Sequence, residues 1–194
     1  MIPQLIALCG FQGSGKDSCA DAITGQHGPY QRYALASPVK RICEIAFGLT
    51  WDEMEGDREL KEATLDRYPY DSPRHLMQVV GTDLFRNAGG WPTIWVEAMK
   101  RYVSGGMDRG EHFVISDLRF PNEAQAVHDL GGYVIRVNRT DRPVDLSAVH
   151  ESEKYIPLLP VHHDIYAATG ELEALCLQIR MICGLHQDLR KEDY

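Results

Sequence analysis

An α/β fold built on a parallel sheet is what this sequence predicts, and three observations carry the prediction. Short apolar runs, such as Leu5–Cys9 and Phe113-Val114-Ile115, are continuous rather than alternating, as strands buried on both faces require. Stretches with apolar residues three and four apart separate those runs, in the manner of amphipathic helices. The first run ends in a glycine-rich turn that leads straight into a helical pattern. With 194 residues, 44% of them hydrophobic, the chain can form one domain with a substantial core.

Charge and composition narrow the class. Twenty Lys and Arg against 28 Asp and Glu give a net charge of −8, which argues against a nucleic-acid scaffold. It does not argue against a phosphate ligand, because local arginines outweigh a distant excess of acid. No stretch is long and apolar enough to span a bilayer, so no membrane partner is expected. Met1-Ile2-Pro3-Gln4 lacks the basic-then-apolar grammar of a secretory signal. The five cysteines, Cys9, Cys19, Cys43, Cys176 and Cys183, are odd in number and lie mostly in apolar patterns. They read as reduced packing residues of a cytoplasmic protein. There are no repeats and no low-complexity segment.

The first strand and its turn read Leu5-Ile6-Ala7-Leu8-Cys9-Gly10-Phe11-Gln12-Gly13-Ser14-Gly15-Lys16-Asp17-Ser18. Gly10, Gly15 and Lys16 satisfy the spacing G-x-x-x-x-G-K of a phosphate-binding loop, and Gly13 and Ser14 lie inside it. Strand before and helix after are the context that gives the motif meaning. Loop N–H groups and the helix N-terminus would cradle an anion, and Lys16 would reach the β- and γ-phosphates of a nucleotide. The position that normally holds Ser or Thr, a magnesium ligand, holds Asp17 instead. Asp17 can bind magnesium directly or through water, or it can cap the helix and leave the hydroxyl role to Ser18.

Along the chain, Tyr30–Ala34 is expected as a second strand. A helix then starts with Ser37 as N-cap and Pro38 in its first turn. Lys40 in that turn opposes the helix dipole, which suggests an anionic neighbour or a solvated side chain. Residues 50–71 look like an insertion with a short helix. Asp71-Ser72-Pro73-Arg74 opens another helix, whose apolar face is Leu76, Val79, Val80, Leu84 and Phe85. On α-helical spacing Arg74, Gln78, Thr82 and Arg86 form a row short of acidic partners, able to read a phosphate and a base edge or simply to face solvent. Trp91, Ile94, Trp95, Ala98 and Met99 form a core stripe of a helix expected to stop before Ser104-Gly105-Gly106.

His112 to Asp117 reads as a buried strand ending in an acid. In open α/β sheets ligands bind beyond the carboxyl ends of strands, so Asp117 falls beside the phosphate loop as a second magnesium-site carboxylate. Arg119 follows, and a helix runs from Pro121 to Leu130. The next strand, Tyr133–Val137, leads into Asn138-Arg139-Thr140-Asp141-Arg142-Pro143. Arg139 and Arg142 suit a clamp over a nucleotide, or are exposed loop residues. His150-Glu151-Ser152-Glu153 and His162-His163 fit no zinc spacing and are expected in polar loop and strand-edge roles. His163–Ala167 is the last strand, a helix through Leu172, Leu175, Cys176 and Ile179 closes the fold, and the tail from Gln187 is polar.

Taken together, Gly10 to Ser18 with its Lys-Asp-Ser ending, Ala36-Ser37-Pro38-Val39-Lys40, Ser72-Pro73-Arg74 with Gln78 and Gly81-Thr82-Asp83, Ser116-Asp117-Leu118-Arg119-Phe120-Pro121-Asn122-Glu123, and His150-Glu151-Ser152-Glu153 resemble the deoxynucleoside monophosphate kinases of tailed bacteriophages. The resemblance spans nearly the whole chain. It implies a P-loop NTPase three-layer sandwich, like a nucleoside monophosphate kinase, with a substrate-binding insertion (about 38–105) and a lid-like segment (about 139–162). It also implies a role in deoxynucleotide biosynthesis, in the host cytoplasm if phage-encoded: ATP-dependent phosphorylation of deoxynucleoside monophosphates to diphosphates.

On this reading Lys16 holds the β/γ-phosphates, and Asp17 or Ser18 with Asp117 holds magnesium. Arg139 and Arg142 cover the transferring group, and Arg74, Gln78 and Arg86, with Lys40 and Arg119, hold the monophosphate. Alternatives are a kinase of phosphomevalonate or dephospho-coenzyme A, a nucleotide-binding module without transfer chemistry, and a plain ATPase. A homodimer is left open.

Overall fold

A computed structural model describes residues 2–25, 28–66, 69–141, 144 and 153–185. The chain divides into two compact units, Met1–Ala34 with Lys100–Tyr194, and Leu35–Met99.

The first unit is built on five parallel strands, β1 Leu5–Cys9, β2 Tyr30–Tyr33, β3 His112–Ile115, β4 Tyr133–Arg139 and β5 His163–Ala167, in the order β2-β3-β1-β4-β5. The central strand β1 is buried at all five positions, which is why its residues are apolar without alternation. Its register sets Ala7 opposite Ile115 and Cys9 opposite Arg136, so the carboxyl ends of β3 and β4 flank the turn that leaves β1. Helices α1 (Lys16–Thr24) and α8 (Leu172–Ile182) cover one face. There Cys19, Ala20, Ile23, Leu175 and Ile179 pack with Ile6, Leu8, Val114, Ile135 and Ile165. On the other face α7 (Pro121–Asp129) lies against β1 and β4. The C-terminal half of α6 (Ile94–Met107) sets Tyr102 edge-on to Phe113, 5.8 Å between ring centres. Three layers, helix–sheet–helix, follow from strands with two apolar faces to cover.

The second unit is helical: α2 Ser37–Phe47, α3 Trp51–Glu55, α4 Arg58–Glu62, α5 Pro73–Gln78, a π-helical segment Val79–Ala88, and the start of α6. Its own core gathers Val39, Cys43, Leu49, Met54, Leu65, Leu76, Val80 and Trp95.

Several sequence expectations need correction. The N-cap of α2 is Ala36, and Ser37 is already helical. The insertion carries two short helices rather than one, started by a Thr50–Glu53 capping box and by Asp57. Helix α6 runs through Ser104-Gly105-Gly106 to Met107, because a Cβ on Gly106 would come within 2.3 Å of the Phe113 ring. That glycine permits close helix–strand packing rather than ending the helix. Trp91 precedes α6, is 45% exposed, and donates from Nε1 to Glu97 at 3.0 Å.

The largest departure follows α5. Its start is as expected, with Ser72 accepting from the His75 N–H and Pro73 in the first turn. From Val79 the hydrogen bonding widens to the π pattern, as in Gly89 N–H to Leu84 O at 2.7 Å. A wider turn keeps residues five apart on one face. Val80 is buried and Phe85 meets Trp95 at 5.3 Å, while Leu84 rotates outward to 47% exposure. The Arg74-Gln78-Thr82-Arg86 row, drawn on α-helical spacing, therefore breaks after Gln78.

The buried thiols match their apolar sequence context. Burial pushes Cys9, Cys19 and Cys183 up to about 12 and Cys43 to about 11. Burial holds them in the thiol form as packing residues. Among the described residues no helix is long and apolar enough to cross a membrane.

Candidate active site

Beyond Cys9 the chain turns at Gly10, where a Cβ would lie 2.6 Å from both the Ser14 hydroxyl and the Val137 carbonyl. The turn closes with Ser14 N–H donating to Phe11 O at 3.0 Å. Gly15 is the N-cap of α1 with φ +98°, and a Cβ there would meet Leu175 at 2.7 Å. Only glycine fits either place. The N-cap of α1 is Gly15, and Asp17 stands in the first turn of the helix.

Two groups in this loop lack what they need. The Ser14 hydroxyl is 2% exposed and has no hydrogen-bond partner among the described residues. A buried orphan hydroxyl in an anion cradle fits a phosphate oxygen. Lys16 is 8% exposed and donates to the loop's own Phe11 carbonyl at 3.3 Å. Burial lowers its pKa first and the nearby Arg119 charge adds to this, against the acids Asp17, Glu153 and Asp117. A cation short of solvation gains most from an incoming phosphate.

Strand β3 brings the acid. Just past its end, Ser116 N–H donates to Tyr33 O at 3.2 Å and Leu118 N–H to Leu8 O at 3.3 Å. These bonds on both sides fix the backbone around Asp117, whose charge acts on Lys16. The buried Glu123 carboxylate then accepts from the N–H groups of Arg119 (2.9 Å) and Phe120 (3.0 Å). This explains the Asp-Leu-Arg-Phe-Pro-Asn-Glu stretch as a rigid turn. Arg119 approaches Glu153 at 3.8 Å, a carboxylate only 7% exposed. Lys16, Asp117, Arg119 and Glu153 thus form one interacting group.

Arg139 is placed on the other flank. It lines a cavity of about 100 Å³ with Phe11, Gln12, Gly13 and Ser14. Its Nη2 donates to Thr169 Oγ1 at 2.6 Å, and Asp141 lies 3.6 Å from its Nε. Arg142 lies outside the described residues, as do His150, Glu151 and Ser152.

In the helical unit, Lys40 meets Glu55 at 2.6 Å, so its anionic neighbour is a carboxylate of the chain itself. Arg74 pairs with Glu62 at 3.5 Å, so the face expected to be short of acidic partners has one at its first arginine. Gln78 is exposed and Arg86 half-buried within the π segment.

Sequence reasoning missed two residues. Arg32 on β2 pairs with Asp17, bonds Asp21 at 3.0 Å and donates to Ser116 Oγ at 3.0 Å. The signal was Asp17 and Asp21, two acids one helical turn apart, which together call for a cation. Glu153 lay in a singled-out stretch but had no assigned role. Nothing in its neighbours revealed that the fold buries it beside Arg119.

Comparison with known proteins supplies the family. The deoxynucleotide monophosphate kinase profile matches residues 58–179. An Acanthamoeba polyphaga mimivirus protein described as a deoxynucleotide monophosphate kinase is 35% identical over 143 residues, covering 70% of this chain and 74% of its own. The deoxynucleoside-5'-monophosphate kinase of Escherichia phage T5 is 24% identical over 244 residues, 93% of this chain and 96% of its own. Among solved structures, the dephospho-CoA kinase from Campylobacter jejuni aligns over 98% of this chain and 99% of its own, with a TM-score of 0.49 and 12% identity. With the profile matching more than half its length and the mimiviral relative aligned over 70% of it, the chain belongs to the deoxynucleotide monophosphate kinase family of phosphotransferases.

Proposed function

We propose that this enzyme transfers the γ-phosphoryl group of ATP to a deoxynucleoside 5'-monophosphate, giving the diphosphate, in the cytoplasm. The observation that carries this is the phosphate cradle itself, with an orphan Ser14 hydroxyl and a buried Lys16 beside an acid-ended strand.

The acceptor needs no general base. The second pKa of a phosphate monoester is about 6, so its oxygen is largely ionised at neutral pH. The protein's task is to align donor and acceptor and to offset charge during in-line transfer. Ser14, the loop N–H groups and Lys16 hold the donor phosphates. Arg119 lies close enough to Lys16 to depress its pKa and is assigned to the phosphate that accepts. Arg139 covers the transferring group by exchanging Thr169 and Asp141 for phosphate oxygens, and Arg142 is assigned to the same task. Lys40, Arg74, Gln78 and Arg86 are assigned to the monophosphate, with Lys40 and Arg74 released from Glu55 and Glu62.

The oxygen donors at the loop suit magnesium, which takes one or two carboxylates and completes its shell with phosphates and water. Asp117, with Asp17 or Ser18, would hold it, and its charge would offset that of the β- and γ-phosphates. Since Arg32 already engages Asp17, an Asp17 contact through water fits better than a direct one.

The test is a coupled ADP-release assay with ATP and magnesium against dAMP, dCMP, dGMP, dTMP and their ribo forms. Turnover that requires a deoxy acceptor is the expected result. ADP release independent of any acceptor, or ATP binding without turnover, would overturn the reading.

A further inference from the structure

The described site leaves Arg32 without a role, yet few side chains in the first unit are so fully engaged. All three faces of its guanidinium are used. Nη2 meets Asp17 on α1, Nη1 meets Asp21 one turn further along α1 at 3.0 Å, and Nε donates to Ser116 Oγ at 3.0 Å. Ser116 is 3% exposed and directly precedes Asp117. One arginine on β2 thus grips the first turn of the phosphate-loop helix and the end of β3 together. Its planar fork is the only side chain that can bond three groups in fixed directions.

The residue it holds is the one that departs from the usual loop. A hydroxyl at position 17 would be neutral beside a triphosphate, whereas Asp17 adds a negative charge there. Asp21 adds another on the same side of α1. Lys16 supplies one positive charge, and it is committed to the phosphates in the proposed function.

We propose that Arg32 is a positioning residue for the donor nucleotide: it balances and fixes Asp17, so that an acid can occupy the hydroxyl position of the phosphate loop, and it steadies Ser116-Asp117. This deepens the proposed function and rests on that reading for the identity of the nucleotide. Arg32 touches neither substrate nor reacting atoms and acts through Asp17 and Ser116. Without it, the freed Asp17 carboxylate repels the triphosphate.

The experiment is a double-mutant cycle of Arg32→Ala and Asp17→Ser, read by equilibrium binding of a non-hydrolysable ATP analogue, with magnesium and in EDTA. The KM values for ATP and for the monophosphate, and the melting temperature, accompany it. In the Asp17 background Arg32→Ala should weaken analogue binding about fivefold, the upper range for a partly exposed charge pair. The loss should appear in EDTA as well, and in the KM for ATP but not the KM for the acceptor. In the Asp17→Ser background the same change should cost less than about twofold, since the charge at position 17 is gone and only Asp21, one turn further from the phosphates, remains to be balanced. Arg32→Lys, which keeps the charge and loses the fork, should fall between wild type and Arg32→Ala. It is also the variant to read if Arg32→Ala fails to fold.

Equal losses in both backgrounds, or no loss in either, would overturn the proposal. So would a loss confined to the acceptor KM. If the wild-type enzyme binds the analogue but phosphorylates no monophosphate, the kinase reading fails while the binding cycle still decides the role of Arg32.

Discussion

At the loop, single side chains and single missing side chains do the work. Lys16→Ala removes the cation that meets the β/γ-phosphates, and kcat/KM should fall by at least about 100-fold, as when a preorganised charge-stabilising donor is lost. The melting temperature should hold within a few degrees, because among the described residues Lys16 donates only to the Phe11 carbonyl and the cost of its burial outweighs the pull of the nearby acids. Retained turnover would remove Lys16 from the mechanism. Gly10→Ala acts oppositely, through the fold. Its methyl would sit 2.6 Å from the Val137 carbonyl, so the variant should lose stability and nucleotide binding together. The geometry of the loop was legible in the sequence, because glycines between a strand and a helix mark backbone positions that a side chain cannot take. Arg32 was not, because Tyr30-Gln31-Arg32-Tyr33 reads as a half-buried edge strand and the arginine's partners lie on other elements. Glu153 was equally hidden, since its burial is set by tertiary approach to Arg119 and not by its neighbours in sequence.

Local chemistry at an element's end was a partial guide, since the Ser-Pro grammar placed the start of α5 but set the cap of α2 one residue late. Ser72-Pro73 announced the start of α5, and Ser72→Ala should cost about 1 kcal/mol of stability on chemical denaturation, the usual worth of an N-cap. The π segment after it had no sequence mark. A widened turn is chosen because it lets Val80 and Phe85 share the face against Trp95, which donates to Gly81 O at 2.7 Å. The start of β5 gives a prediction about pH. His162 accepts the Val134 N–H on Nδ1 at 3.0 Å, and its ring stacks on Tyr133 at 4.8 Å and lies 4.7 Å from His128. Burial, then the charges of His128 and His163, lower its pKa. A histidine with a lowered pKa binds fewer protons folded than unfolded, so its contribution to stability falls as pH drops below about 6.5. The depressed carboxyls Asp129, Asp141 and Asp164 lose their contribution only below about 4, so the two windows separate. Melting temperature should decline between pH 7 and 5, and less steeply in His162→Asn, which keeps an acceptor but cannot be protonated there. Parallel slopes for the two proteins would remove His162 as the cause.

For the molecule as a whole, the two units carry separate cores and, in the proposed function, separate tasks. The sheet unit holds the phosphate loop, and the helical unit holds Lys40, Arg74, Gln78 and Arg86. A ligand protects from hydrogen exchange the segments it stabilises, and at about 100 times its Kd it adds about 2.7 kcal/mol to whatever opening it blocks. A non-hydrolysable ATP analogue, given alone, should therefore slow exchange at residues 10–24 and 116–119. A deoxynucleoside monophosphate, given alone, should slow it across residues 73–88, where the π segment's widened hydrogen bonds make the effect easy to see. The pattern tests the assignment of acceptor residues without any turnover. If the monophosphate protects residues 116–119 and not 73–88, Arg74 keeps its pairing with Glu62 and the acceptor is read by Arg119 and its surroundings instead. If it protects residues 73–88 and leaves the loop unchanged, the Arg74–Glu62 and Lys40–Glu55 pairs are the contacts that the acceptor phosphate displaces. In that case Glu62→Gln should tighten monophosphate binding, because Arg74 would no longer have to leave a carboxylate to meet it.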